Sequence, residues 1–313
     1  MTNLTDAHSA ASLGERGSIG AHRGPAHGRP ASDMGQRGRA QTRVRWELLR
    51  NLIRKDLKVK YKGSTLGFAW SLANPLLLLV VYTFVFQVVL KSNVPRFGIY
   101  LMSGLLVWNA FSGAVSGACG SVVFNANLVK KVRFPLPVLP LSAVGFALVH
   151  FLLQLAVLFV VILVLGYSLI GAQLLLLVPA FAVAMIFTIG LAILVSALNV
   201  RYRDTQHLLD VALLAWFWVN PIVYSVSLVS KELKGATWLY YLDPMAPVVT
   251  TFQRAIYNHP YGMVNGQRQL ILADPGYMFY LEKLAVAGAI SLALLAFGVY
   301  VFRRLQADFA EDL

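Results

Sequence analysis

Five stretches of this chain, 19 to 67 residues long, contain no Asp, Glu, Lys or Arg: 63–90, 97–129, 134–200, 211–230 and 284–302. A helix crosses the roughly 30 Å core of a bilayer with about 20 apolar residues. The stretch 134–200 is long enough for two crossings. Its natural break is "LGYSLIGAQ", Leu165 to Gln173, where two glycines and polar residues suit a turn. A soluble enzyme can bury one such run in its core, but not five. A transmembrane β-barrel would show short alternating segments instead. The expected fold is an all-α polytopic membrane protein with six transmembrane helices, at 68–90, 98–119, 137–165, 174–198, 207–229 and 282–302.

The remaining charge gives the orientation. Residues 1–62 carry 13 Lys/Arg against 5 Asp/Glu. The positive-inside rule therefore places the N-terminus in the cytoplasm, and six crossings return the C-terminus to the same side. Loops 120–136 and 199–206 and the tail from 303 then fall inside with their basic residues. Lys91 and Arg96, in the loop 91–97, are the exception among the short external connections. Residues 1–43 hold no apolar core for a signal peptide and read as a disordered basic cytoplasmic tail; 304–313 form a second cytoplasmic tail. The basic residues flank the spans, so no nucleic-acid partner is expected.

Three segments outside the spans have a pattern of their own. Over 44–62, a helical wheel puts Trp46, Leu48, Leu49, Leu52, Ile53, Leu57 and Val59 on one side. Glu47, Arg50, Arg54, Lys55, Lys58 and Lys62 occupy the other. Such a basic amphipathic helix lies in the cytoplasmic interface, either as a surface anchor or as an elbow that passes motion to the spans. Within 121–134, Phe124, Leu128 and Val132 recur on one helical face, while Pro135 and Pro137 fix the turn into the next span. This segment is either a lever for a separate subunit or only a topology signal. Residues 230–260 are apolar but broken by proline and too short to cross, which predicts re-entrant half-helices near 231–242 and 245–258.

Chemical motifs are few. No Gly-Lys dipeptide occurs, so a P-loop is excluded, and no HExxH or paired-cysteine metal spacing is present. No metal site and no bound cofactor are expected. Cys119 is the only cysteine, so no intrachain disulfide can form. "GACGS", Gly117 to Ser121, lacks the form of a nucleophile elbow. His150 is the one ionisable residue deep in a long run: a functional candidate by position, or a neutral ring satisfied by one hydrogen bond. A membrane-embedded glycosyl- or acyltransferase using His150 or Asp243 as base is the enzyme alternative, but the runs lack the gathered carboxylates it would need.

Six strings carry a resemblance: "YKGSTLGFAWSLANPLLLLVVYTFVF" (61–86), "GLLVWNAF" (104–111), "NANLVKKVRFPLPVLP" (125–140), "NVRYRDTQHLLDVAL" (199–213), "WVNPIVYS" (218–225) and "LDPMAPVVTTFQRAIY" (242–257). Together they resemble the membrane subunit of ABC-2-type polysaccharide exporters, over about residues 45–303. Within that family the Arg-rich tail and "KKVRFP" look most like the galactan exporters of mycobacterial-type cell walls. The resemblance implies a multi-pass permease of the bacterial cytoplasmic membrane that pairs with a second copy of itself. It further implies two copies of a separate nucleotide-binding ATPase subunit, which uses ATP-Mg, and a lipid-linked polysaccharide as substrate. An ABC-2 exporter of drugs or lipids would share this architecture. Carried onto this chain, the coupling helix is 121–134, presenting Asn125, Asn127, Lys130, Lys131 and Arg133 to the ATPase. Arg201, Arg203 and Asp204 give a second contact, although Asp204 or Thr205 also suits a helix N-cap.

A polar glycan with apolar C–H faces slides well on aromatic rings. Candidates for lining a passage are Trp70, Tyr82 and Phe86 in the first span, Trp108 in the second, and Trp216, Trp218 and Tyr224 in the fifth. Interfacial aromatic belts account for such residues equally well. Arg50, Arg54 and Lys58 stand where an anionic lipid headgroup would wait, each cation contributing about 1 kcal/mol near a charged surface.

Overall fold

The computed structural model describes residues 46–60, 62, 69–89, 94–131, 134–167, 171–227, 229, 237–259, 261–264, 267–273 and 276–313. Residues 43–313 form one compact unit; the basic tail 1–43, Arg133 and residues 230–236 lie outside the described residues. Four helices have the length and apolarity of a bilayer crossing: α3 (Phe97–Phe124), α5 (Val138–Val164), α6 (Leu177–Arg201, preceded by a 3₁₀ turn Ala172–Leu176) and α10 (Tyr277–Leu305). They coincide with four of the six expected spans.

The other two expected spans are interrupted. The first is α2 (Ala69–Thr83), which loosens into a π-helical end at Phe84–Val89. The fifth, expected over 207–229, is helical over α7 (Thr205–Val219), leaves the helix over 220–225 and is helical again at Val226, Ser227 and Val229. Pro221 disfavours helical geometry at Asn220, and Asn220 is indeed extended, with ψ 146°. The carbonyls freed at that end find other donors. Val219 O accepts from the Tyr240 hydroxyl at 2.9 Å and from the Tyr224 hydroxyl at 2.6 Å. A helix end buried away from water requires such partners.

The segment after α7 differs from the expected pair of half-helices. Of the first, residues 231–236 lie outside the described residues, and the described part is one turn, α8 (Thr237–Tyr240). The second is α9 (Met245–Ile256), all twelve residues of which are buried. A hairpin follows, β1 (Tyr261–Val264) antiparallel to β2 (Gln267–Leu270), with Tyr261 opposite Leu270. It was not expected, and it is the one sheet among the described residues of an otherwise helical fold.

α3 is the axis of the bundle, in contact with α2, α5, α6, α7 and α9. Between membrane helices lipid is as apolar as leucine, so close association depends on small residues that let backbones approach. Two glycine sites do this. A Cβ on Gly98 would fall 2.1 Å from the Thr83 hydroxyl, where α2 meets α3. On Gly298 of α10 it would fall 2.6 Å from the backbone oxygen of Gly190 in α6, and on Gly190 it would meet the Leu295 backbone at 2.9 Å. Backbone cannot rotate aside as a side chain does. Gly298→Val is therefore expected to cost about 2–3 kcal/mol by overpacking. In a detergent thermal-unfolding assay this should lower the midpoint by roughly 5–10 °C.

Candidate functional site

The helix 46–60, labelled α1, turns Arg50, Arg54 and Lys58 outward while Leu48, Leu49, Leu52, Ile53 and Leu57 are partly buried. Trp46 and Val59 depart from the wheel and are exposed. Ile53 approaches Gly145 on α5. The last turn is also held: Lys60 Nζ lies 3.2 Å from His150 Nε2 and 5.2 Å from the centre of the Phe146 ring. His150 Nδ1 lies 3.0 Å from Phe146 O, a pure acceptor, so Nδ1 carries the proton and Nε2 accepts from Lys60. His150 is thus the satisfied neutral ring, and it ties α1 to α5. Burial at this contact pushes the Lys60 ammonium below its usual lysine range.

At the same end of the bundle α3 stops at Phe124, and one turn, α4 (Ala126–Lys131), follows. Phe124 is 82% exposed and Leu128 is exposed as well, while Val129 packs inward and Val132 lies outside the described residues. Asn125, with φ −106° and ψ 24°, separates α4 from α3. Asn125 is held inward by its amide, which donates to Ser121 O at 2.8 Å. Asn127, Lys130 and Lys131 are exposed. So are Arg201, Arg203 and Asp204, in the turn between α6 and α7. Neither Asp204 nor Thr205 caps α7 with its side chain, because the Thr205 hydroxyl donates back to Tyr202 O at 2.6 Å.

Beneath these cations lies a single apolar cluster. Leu52 of α1, Val122 of α3, Val129 of α4, Leu139 of α5, Val200 of α6, Phe302 of α10 and Phe309 of α11 (Phe309–Asp312) all join it. Interiors packed at crystal-like density transmit displacement. α4 thus shares one packed cluster with α1, α6 and α10.

The opposite end is closed by α9 and one carboxylate. Asp243 Oδ2 accepts from Trp216 Nε1 at 2.8 Å and from Asn220 Nδ2 at 2.9 Å; Oδ1 accepts from the Met245 backbone N–H at 3.0 Å. Burial pushes the Asp243 carboxyl above its ordinary range, and the three donors pull it part of the way back. The negative charge also faces the start of α9, where the helix dipole favours it. A second tie runs from Gln253 Nε2 to Pro221 O at 2.8 Å, and the Tyr100 hydroxyl of α3 donates to Tyr224 O at 2.9 Å, which fastens the same segment to α3. The C-terminal end of α7 and the plug α9 are thus one hydrogen-bonded body.

The aromatic candidates divide. Trp108 is 4% exposed and packs edge-on against Trp216, which is itself seated against Phe111 and Phe187. Phe86 stacks on Phe97 with centroids 4.2 Å apart, next to Tyr82. Of these four Trp108 is core, and Trp216, Phe86 and Tyr82 are half-buried against it. Tyr224 spends its hydroxyl on the end of α7. Trp70 (54% exposed) and Trp218 (60%) remain free to meet something else.

Two polar features escaped the sequence reading. Asp210, which bounds a charge-free run, accepts from Ser116 Oγ at 3.0 Å, and Gln206 lies beside it, so α7 meets α3 through polar groups. Arg96 and His259, 163 residues apart, meet at 3.2 Å. The spacing of acid and hydroxyl residues along α3 and α7 hints at the first. Nothing in the sequence hints at the second.

A family model described as "ABC-2 type transporter" matches residues 47–257. An O-antigen export system permease protein, RfbA, of Myxococcus xanthus is 33% identical over 267 residues, covering 85% of this chain and 95% of its own. An RfbA of Klebsiella pneumoniae is 30% identical over 269 residues, covering 86% and 95%. The polysialic acid transport protein KpsM of Escherichia coli is 21% identical over 212 residues, covering 66% and 79%.

Proposed function

We propose, since this chain belongs to the ABC-2 type transporter family and is a transporter membrane subunit rather than an enzyme, that it exports a lipid-linked polysaccharide across the bacterial cytoplasmic membrane. It works as a homodimer with two copies of a separate ATPase subunit, and both termini are cytoplasmic. The observation that carries the reading is the cationic end: α4 and the α6–α7 turn stand exposed over an apolar cluster shared with α1, α6 and α10. Closure of the ATPase pair, driven by ATP-Mg on that subunit, presses on Lys130 and Lys131. The cluster passes the displacement to the spans, and the body formed by α7 and α9 moves aside at the outer end. Trp70 and Trp218, on the faces left exposed, offer rings to the moving glycan. Arg50, Arg54 and Lys58 of α1 gather the anionic headgroup of the lipid carrier at the inner leaflet.

The printed names of the relatives, O-antigen export and polysialic acid transport, support a polysaccharide as cargo. A galactan is the sugar we favour, from the "KKVRFP" context. Depletion of the chain in its own host tests this. Lipid-extractable galactan is expected to accumulate inside the cell and to clear when wild-type protein is restored. Depletion without any accumulated lipid-linked glycan would contradict the reading.

A further inference from the structure

At the end of the bundle remote from α4, a polar cavity of about 370 Å³ opens between the start of α3, the end of α5, the 3₁₀ turn before α6 and the end of α9. Its wall carries Arg96, Tyr167, Gln173, Tyr257, Asn258 and His259. The Arg96 guanidinium lies flat on the Tyr167 ring, 3.5 Å from its centre. His259 Nδ1 lies 2.8 Å from Tyr257 O, which can only accept, so Nε2 is the acceptor that Arg96 reaches. That contact uses one of five guanidinium N–H donors. Gln173, only 6% exposed, lines the same wall. Arg254 donates to Asn258 behind the wall and brings a second positive charge close.

The backbone is strained at this cavity and nowhere else among the described non-glycine residues. Arg96 (φ 54°) and Asn258 (φ 50°) are the two with positive φ, and both line it. Strain of this kind persists where the surroundings hold it and gathers at ligand clamps.

An apolar groove of about 450 Å³ adjoins the cavity and shares Arg96, Ile99 and Tyr167 with it. It runs along α2 and its π-helical end past Val80, Phe84 and Val88, three exposed side chains, to Leu165 on α5. Neither lining contains an Asp or Glu. A ligand that fills both is amphipathic: an anion at the cavity and hydrocarbon in the groove. A zwitterionic headgroup would bring an ammonium that finds no carboxylate there.

We propose that cavity and groove together hold one anionic phospholipid from the leaflet at that end, its phosphate against Arg96 and Gln173 and an acyl chain along α2. Arg96, the exception to the charge rule among the short loops, is then a headgroup ligand and not a topology signal.

The test titrates purified full-length protein in neutral detergent and follows thermal unfolding, since a ligand that binds only the folded state raises its midpoint. Phosphatidylglycerol is expected to stabilise at concentrations about tenfold lower than phosphatidylcholine, and Arg96→Gln to erase that difference. Inorganic phosphate, which has no hydrocarbon for the groove, is expected to give no shift. Val80→Trp, which fills the groove far from the strained turn, should weaken phosphatidylglycerol by a similar factor. It also keeps the test decisive if Arg96→Gln fails to fold. Equal stabilisation by the two lipids, full retention in Val80→Trp, or a shift with phosphate alone equal to that with lipid would overturn the proposal.

Discussion

Charge reversal at Lys130 and Lys131 together is expected to abolish co-purification of the ATPase subunit while leaving the permease folded. Both side chains are exposed at the end of α4, and neither joins the apolar cluster beneath it, so the substitution leaves the packing untouched. Across an interface the double change replaces two attractive charges by two repulsive ones, and like-charge juxtaposition costs several kcal/mol. A loss of about 3 kcal/mol weakens association more than a hundredfold. Pull-down of the ATPase with tagged Lys130→Glu/Lys131→Glu protein checks this, with the thermal midpoint of the permease alone as control. Unchanged recovery of the ATPase would remove α4 from the coupling route.

Loss of the Asp243 carboxylate is expected to destabilise the α9 end of the bundle more than any other single side chain there. Asp243→Ala leaves the Trp216 indole N–H, the Asn220 amide and the Met245 N–H without their acceptor. Asn220 Oδ1 is the one buried acceptor without a partner in that group, and it belongs to the same amide whose Nδ2 would lose Asp243. Each buried donor left unmet costs about 1–3 kcal/mol, roughly 4 kcal/mol in sum after relaxation. The thermal midpoint should fall by about 10 °C. Trp216→Phe, which removes one donor and keeps the ring packing, should cost about 1 kcal/mol. Combining the two changes should be less than additive, because they remove the same bond. Strict additivity would mean that Trp216 and Asp243 act separately.

The greasy part of the fold was legible because bilayer-spanning helices write themselves in unbroken apolar runs, and four of them match their runs closely. The break in α7 was legible too, since Pro221 forbids the helix that hydropathy alone extends to residue 229. Hydropathy reports which residues tolerate lipid, not which are helical. The hairpin carried a plain signal, because Asn265-Gly266 stands between β1 and β2 and that dipeptide favours two-residue hairpin turns. It was hidden by the assumption that an external segment of a membrane protein is loop or helix.

The start of α9 was readable from Asp243-Pro244, a helix-start pair. The partners of Asp243 were not, since Trp216 lies 27 residues away and only the fold brings them together. The aromatic residues show the same limit. Composition marks Trp108, Trp216 and Trp218 alike, whereas packing buries the first, half-buries the second and leaves the third exposed. Which aromatic meets cargo is a property of the surface, and local sequence says little about it.

The central claim is that this chain is a conduit driven by force applied at the α4 end from the cytoplasm. Cys119 is the only cysteine, so a Cys119→Ala background carries one thiol when Lys130 is replaced by Cys. Intact cells treated with a membrane-impermeant maleimide should leave residue 130 unlabelled, and permeabilised cells should label it fully. Labelling in intact cells would put α4 on the outer face, out of reach of any ATPase, and would contradict the account.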